Sequence, residues 1–365
     1  MSVGENGLHV VFGTGQVGRA LTAHLLGLGL PVRVVSRRRA AGLPPAVDWR
    51  GADAADTEAA SDAAHAAAVI YQCLNAPYAK WAALFPPLQR GVLAAAERSG
   101  ALLVSLENLY AYGPAGGDPM TEDLALAAIT AKGRTRATMT QELLAARDAG
   151  RVQIAIGRAS DFFGPGVTDS TLGARVFGNA LAGRRTDFIG NPDLLHTYSY
   201  VPDIAAGLAT LGTDDRAIDE VWHLPGPETV TTRQILDLVG RETGHPVGIR
   251  SVSKLALRAL GLVNPTMRAL VEMAYEFDEP FVLDTTKSGT PSAWQARSSA
   301  SPSPPLSTAT ERPAPHGLRP QASQLRHGAG NSRPATDLLS VTADLASEKG
   351  HTATRRRTVT IEDPA

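Results

Sequence analysis

Three glycines, Gly13, Gly15 and Gly18, stand in the order G-x-G-x-x-G within "VVFGTGQVGRAL". A loop of this spacing suits a pyrophosphate. The first glycine permits a tight turn, the second lets phosphate oxygens approach the backbone, and the third allows a helix to pack closely on a strand. Thr14, Gln16 and Val17 complete the loop and are expected to touch the same ligand. The unpaired N–H groups and positive end of a following helix would face it. The chemistry implied is dinucleotide binding.

A second cluster follows the next apolar run, where "VVSRRR" sets Ser36, Arg37, Arg38 and Arg39 with no acidic residue. An acid at this place bonds the ribose 2′-hydroxyl of NAD. Ser36 and a guanidinium suit a 2′-phosphate instead, which arginine grips with two hydrogen bonds. NADP is therefore the preferred cofactor and NAD the alternative; the competing reading leaves the arginines as solvated loop charges. Asp53 in "WRGADAAD" is placed to reach the adenine amino group, and Asn75 is a further expected cofactor contact. A third cluster, "SLENLYAYGP" at 105–114, brings a glutamate, an asparagine and two tyrosines to the end of another apolar run. Lys132 and Arg136, four apart, would share one helix face.

These groups need rigid elements to hold them. Short β-branched runs at 8–13, 32–36, 68–73, 101–106 and 152–157 read as strands. Helical patterns at 15–29, 80–100 and 131–149 alternate with them, and Pro86-Pro87 marks a helix start or a break in the second. Alternation of this kind predicts an α/β fold, a Rossmann-type doubly wound parallel sheet. Unbroken apolar runs fit strands buried on both faces. From about Asp161 the rhythm loosens into short strands ("TYSYV", "EVWHL", "VGIRSV") and helices at 202–212, 231–243, 253–261 and 265–276. This predicts a smaller C-terminal α+β substrate lobe. The expected division is 1–160 mainly nucleotide-binding domain, 161–287 mainly substrate lobe with some segments returning to the sheet, and 288–365 a tail.

Beyond Phe281 the chain has no Phe or Tyr, and Ser, Pro, Ala, Thr and Arg dominate after Lys287. Such a segment buries too little apolar surface to offset its ordering entropy, so 288–365 is expected to be disordered. Within it "DLLSVTADLASEKG" would form at most a transient helix, and "TRRRT" is a basic run read as solvated. The abrupt change resembles GC-rich DNA read in a shifted frame. The net charge of −1 excludes a global field favouring nucleic acid or an anionic membrane. No stretch reaches the ~18 apolar residues of a membrane span, and the N-terminus has no signal-peptide pattern. A cytoplasmic protein is expected. The single cysteine, Cys73, excludes an internal disulfide and reads as a packed residue, and no metal site is expected.

The order "VFGTGQVG", "GADAAD", "ENLYAYGP", "MTED", "GRASDFFGPG", "YSYVPDIAAGL" resembles the extended short-chain dehydrogenase/reductase superfamily, within it the NAD-dependent epimerase/dehydratase family, over 8–287. The resemblance implies an NAD(P)-bound Rossmann domain, a small-molecule substrate (often a nucleotide sugar) and, as in many members, a homodimer. It also implies a Ser/Thr, a tyrosine and a lysine four residues later, the tyrosine exchanging a proton while hydride passes to or from the nicotinamide. Three departures stand out. The glycine loop is one residue short of the family's G-x-x-G-x-x-G. Asn108 occupies the serine position, and the Y-x-x-x-K slot holds Lys132 and Arg136. Tyr110 or Tyr112 is therefore expected to donate the proton, with Lys132 lowering its pKa and holding cofactor, and Asn108 orienting the substrate oxygen. The alternative makes Lys132 itself the acid/base. Ser160 is expected to meet the nicotinamide amide or the substrate, and His196 and Tyr198 to lie in the lobe and line the cleft, the competing reading making the histidine a packed or hydrogen-bonded residue.

An NADP(H)- or NAD-dependent oxidoreductase or epimerase is the leading expectation. A dinucleotide-binding sensor that has lost its chemistry is the alternative, favoured by loss of the standard tyrosine.

Overall fold

The computed structural model describes Gly4, residues 7–252, Arg268 and residues 271–289. In chain order come β1 (Leu8–Phe12), α1 (Gln16–Gly27), β2 (Val32–Ser36), β3 (Asp48–Gly51), α2 (Thr57–Ala63), β4 (Ala67–Gln72), α3 (Trp81–Ser99) and β5 (Leu102–Glu107). Then follow α4 (Ala131–Asp148), β6 (Ile154–Arg158), β7 (Asp161–Phe163), α5 (Ala174–Leu181), β8 (Thr186–Ile189), β9 (Leu195–His196) and β10 (Tyr198–Tyr200). The last are α6 (Val201–Leu211), β11 (Val221–His223), β12 (Val230–Thr231), α7 (Thr232–Thr243) and β13 (Ile249–Val252).

Seven strands form one parallel sheet in the order β11-β6-β5-β4-β1-β2-β3. Strand side chains alternate between faces, so one apolar run feeds two cores. Val11 points to the face covered by Leu21 of α1 and Ile204 and Leu208 of α6. Val10 and Phe12 point to the other, with Ala60 of α2, Val92 of α3 and Leu143 of α4. The central polar residue, His9, is fully buried and answered by the Tyr71 hydroxyl at 2.9 Å and the Gly4 carbonyl at 2.8 Å. The chain leaves β1 toward β2 and β3, then crosses to β4 on the other side. At such a reversal the crevice outside the strand ends takes the ligand.

The smaller region carries three two-stranded pairs, β10 with β7, β12 with β9 and β13 with β8. Phe163, Val176, Phe177, Ile235 and Leu236 form its core with α5 and α7. The strand expected at "EVWHL" is β11, which lies beside β6 in the main sheet. Strand β3 was not expected: its sequence, "DWRG", is polar and half-exposed at the sheet edge, so it carries no apolar signal. Helix α3 begins ahead of Pro86-Pro87 and runs through both, so they mark neither a start nor a break. Among the described residues no helix is long and apolar enough to cross a membrane. The helix expected at 253–261, most of that at 265–276, and the tail from residue 290 with "DLLSVTADLASEKG" and "TRRRT" lie outside the described residues.

Candidate active site

The glycine loop joins β1 to α1, and its three glycines answer different demands. Gly13 has φ +111°, and a Cβ there would lie 2.6 Å from the Cys73 carbonyl oxygen. A Cβ on Gly18 would lie 2.1 Å from the Gly13 oxygen. Gly15 is extended, with φ −68° and ψ −175°, and its Cβ would meet nothing within 4 Å. The chain's own packing thus demands glycine at 13 and 18, whereas at 15 the space opens onto a cleft. No side chain caps α1, so its first-turn N–H groups are left for an anion, as a pyrophosphate requires.

The cleft measures about 1580 Å³. Sites for one drug-sized ligand run to roughly 1,000 Å³, so this one has room for a dinucleotide and a second molecule. Along the end beside the glycine loop lie Thr14, Gln16, Val17, Ser36, Arg37, Arg38, Asp53 and Asn75. Arg37, Arg38 and Asp53 are exposed. The Ser36 hydroxyl is already engaged: it donates to the Arg38 carbonyl at 2.8 Å and accepts from the Trp49 indole N–H at 3.0 Å. A 2′-phosphate would therefore lean on the two guanidinium groups. Cys73 also lines the cleft, and burial pushes its thiol up to about 12, which leaves it protonated and inert at neutral pH.

At the other end, four side chains converge with a buried polar atom that has no partner among the described residues. They are Asn108 Oδ1 after β5, Ser160 Oγ after β6, Arg136 Nε on α4, and Glu276 Oε1 on the turn Ala274–Phe277. Arg136, Ser160 and Glu276 are 1%, 2% and 2% exposed. Folded interiors leave few buried polar groups unanswered, so four around one cleft mark where a ligand's polar groups would go. Tyr110 joins them, its ring against Trp81 and its hydroxyl 3.3 Å from that of Tyr78. Burial, reinforced by the Glu276 charge, pushes the Tyr110 phenol well above its ordinary value. His196 and Tyr198 sit beneath this end and do not line it: His196 stacks between Phe277 and Phe281, and the Tyr198 hydroxyl bonds Thr232 Oγ1 at 2.7 Å.

Comparison with known proteins now adds to this geometry. The family model described as "NAD dependent epimerase/dehydratase family" matches residues 10–224, more than half of the chain. The chain belongs to this family. No curated protein matches it significantly. Among solved structures, an epimerase from Methanothermobacter thermautotrophicus superposes with a TM-score of 0.64 at 15% identity, covering 77% of this chain and 85% of its own. The UDP-glucose 4-epimerase of Thermotoga maritima, solved with UDP-glucose, gives 0.63 at 17% identity over 77% and 91%. The UDP-glucuronic acid 4-epimerase of Bacillus cereus, in complex with NAD, gives 0.59 at 18% over 67% and 87%. At such identities these likenesses establish the Rossmann-type fold.

In this epimerase/dehydratase chain the two residues of the Y-x-x-x-K slot part company. Arg136, in the lysine position, lines the cleft, with its guanidinium 4.9 Å over the Phe85 ring and Nη2 3.8 Å from Glu107 Oε1. Lys132, in the tyrosine position, does not line it. Its ammonium donates to Glu272 Oε2 at 2.8 Å, its backbone N–H to Glu272 Oε1 at 2.7 Å, and it lies 4.6 Å over the Tyr78 ring. Burial opposes ionisation of Glu272, but the bonds from Lys132 outweigh it and hold the carboxyl below its usual range. Lys132 is thus paired with Glu272, and Tyr78, Tyr110 and Tyr112 are all displaced upward, chiefly by burial.

Tyr112 is likewise outside the cleft lining, 1% exposed. Its hydroxyl accepts from Arg158 Nη1 at 2.7 Å and donates to His223 Nε2 at 2.7 Å, while His223 Nδ1 donates to the Asp284 carbonyl at 2.7 Å. Burial pushes His223 down, so it is neutral and Nε2 is free to accept. Arg158 Nε in turn donates to Glu107 Oε2 at 3.2 Å. Tyr112 is therefore a link in a buried chain that ties β5, β6 and β11 to the segment around Asp284.

Tyr78 and Glu276 were not anticipated. Tyr78 follows β4 at the sheet's reversal, and the rule that ligands gather at strand ends there is a signal that could have found it. Glu276, in "AYEFDEP", carries no local signal at all.

Proposed function

We propose that this protein is an NAD(P)-dependent oxidoreductase or epimerase acting on a hydroxyl or carbonyl group of a small molecule of the sugar-nucleotide class, with NADP preferred over NAD. One observation carries the reading: the glycine loop opens one end of a cleft that also gathers four buried polar side chains, each with one atom unanswered among the described residues. The UDP-sugar ligands of the similar structures suggest the substrate class. In this reading residues 1–160 mainly bind the dinucleotide and 161–287 mainly the substrate, and the chain pairs as a homodimer.

A bound nicotinamide supplies a carbon that accepts or returns hydride. The protein's part is to place and protonate. Loop N–H groups hold the pyrophosphate, Arg37 and Arg38 the 2′-phosphate, and Arg136 takes the positioning role of the family's lysine. The Asn108 carbonyl oxygen accepts from a substrate hydroxyl, and Ser160 meets the nicotinamide amide or the substrate. Fluorescence titration with NADPH and NADH, followed by turnover of UDP-glucose and UDP-glucuronic acid, tests the reading. Tighter binding of NADPH is expected, and absence of binding by either dinucleotide would overturn it.

The second reading, a dinucleotide-binding sensor without chemistry, is favoured by the pairing of Lys132 with Glu272 in the slot where a tyrosine would act. Saturable NADPH binding with no turnover of any carbonyl or hydroxyl substrate would select it.

A further inference from the structure

The protein buries two glutamates beside its cleft, and their surroundings are opposite. Glu107 accepts from Thr140 Oγ1 at 2.8 Å and is flanked by Arg158 at 3.2 Å and Arg136 at 3.8 Å. Glu276 has no cation beside it among the described residues, and its Oε1 has no partner there. The turn that carries it is held firmly. The Glu276 N–H donates to the Met273 carbonyl at 3.2 Å, and Phe277 packs edge-on against Phe188 and face-on against His196.

The titratable groups whose charge and that of the Glu276 carboxyl act on each other are Asp161 from β7, Tyr78 from the segment after β4, Tyr110 from the loop after β5, and Tyr275 from its own turn. The nearby cations are matched elsewhere: Lys132 by Glu272, Arg136 by Glu107. His196 turns its Nε2 to within 3.2 Å of Asp161 Oδ2. Burial, with the Asp161 charge adding to it, disfavours the carboxylate of Glu276 and raises its pKa well above the ordinary value. A carboxyl so shifted keeps its proton to higher pH than an ordinary one and can donate it to a neighbouring oxygen. The three phenols beside it are displaced upward as well, so none has the poise of an activated tyrosine.

We propose that Glu276 is the residue that exchanges a proton with the substrate oxygen, in place of the tyrosine missing from the Y-x-x-x-K slot, with the Tyr110–Tyr78 hydroxyl pair beside it. The inference rests on the enzymatic reading above. In reduction, the substrate carbonyl carbon receives hydride from a reduced nicotinamide dinucleotide. The carbonyl π pair becomes an O–H bond to the proton of Glu276, which is left as carboxylate. In oxidation the carboxylate takes the hydroxyl proton as hydride departs to the oxidised dinucleotide, so the cycle closes with no further reactant.

Glu276→Gln preserves the shape of the side chain and removes the exchangeable acid. NADPH affinity is expected to be unchanged by fluorescence titration, while turnover of a panel of UDP-sugars and their keto forms falls about 10²–10⁴-fold. Glu276→Asp should regain part of the rate. The wild-type reductive rate should fall as pH rises through the Glu276 pKa, and this limb should be missing from the residual activity of Glu276→Gln. Wild-type turnover and pH profile in Glu276→Gln would overturn the proposal and leave the enzymatic reading standing. NADPH binding by the wild type with no turnover of the panel would overturn it in favour of the sensor. Loss of NADPH binding only in the variant would show a structural role and overturn it too. Failure of the wild type to bind NADPH would overturn the enzymatic reading itself.

Discussion

In the nucleotide half of the cleft most of the groups facing a ligand come from one run of chain, Gly13 to Asp53, laid along β1, α1, β2 and β3. In the half proposed for the substrate they come from Tyr78, Asn108, Tyr110, Arg136, Ser160 and Glu276, each on a different segment or turn except the neighbours Asn108 and Tyr110. The first half recognises a fixed shape, a pyrophosphate, with backbone geometry that neighbouring residues can set. The second must oppose polar atoms across a cavity, which only distant segments can do. A family can therefore keep the first half as a motif while individual members rebuild the second, and this chain has asparagine, lysine and arginine where the family's triad stands.

The glycine loop gives the largest expected contrast. Gly18→Ala would force its Cβ to 2.1 Å from a carbonyl oxygen and should cost about 3 kcal/mol or more in denaturant unfolding. Gly15→Ala meets nothing within 4 Å and should leave stability within about 0.5 kcal/mol while weakening NADPH binding. Equal destabilisation by both would erase the distinction between packing and ligand glycines. Next, joint replacement of Arg37 and Arg38 by Ala should remove about 1.5–3 kcal/mol of NADPH affinity and leave NADH unaffected. A parallel loss for both dinucleotides would assign the arginines to general charge attraction.

In the other half, Tyr112→Phe strands Arg158 Nη1 and His223 Nε2 and should cost about 1–3 kcal/mol of stability. Tyr110→Phe loses only a 3.3 Å contact, so its stability should stay within about 0.5 kcal/mol, with the loss appearing in turnover. Reversed results would exchange their roles. The smallest effect lies in pH. Glu276 has its folded pKa above its ordinary 4.5, so the stability it contributes is complete below that pH and declines as pH rises. Glu276→Gln escapes that decline, so its Tm should fall less than the wild type's as pH is raised from acid to neutral. His223 slopes the other way: its folded pKa lies below 6.5, so its share of stability is lost as pH falls through that region. A Glu276→Gln melting profile parallel to the wild type's at all pH values would contradict a protonated carboxyl.

Much of the nucleotide half was legible because its requirements are local. G-x-G-x-x-G between an apolar run and a helical pattern already specifies turn, anion site and packing, and unbroken runs such as "LHVVF" already specify strands buried on both faces. Strand β3 was not legible, because an edge strand with polar ends has no periodicity to show. Tyr110 and Tyr112 looked alike, two phenols after the same strand, since a loop has no repeat that tells inward from outward. The fold separates them, sending one hydroxyl to Tyr78 at the cleft and the other to Arg158 and His223 in the interior. Lys132 looked like a catalytic cation because its partner, Glu272, is far along the chain.

The sequence by itself made legible the strand–helix alternation, the glycine loop, the family and the absence of the standard tyrosine, all of which rest on local pattern or on residue identity. Tertiary structure alone decided which phenol meets the cleft, that Lys132 is neutralised, and that the Glu276 carboxyl, with one oxygen unpaired among the described residues, lines that cleft. Burial and charge pairing are properties of surroundings, and the surroundings of these residues are assembled from segments more than a hundred positions away.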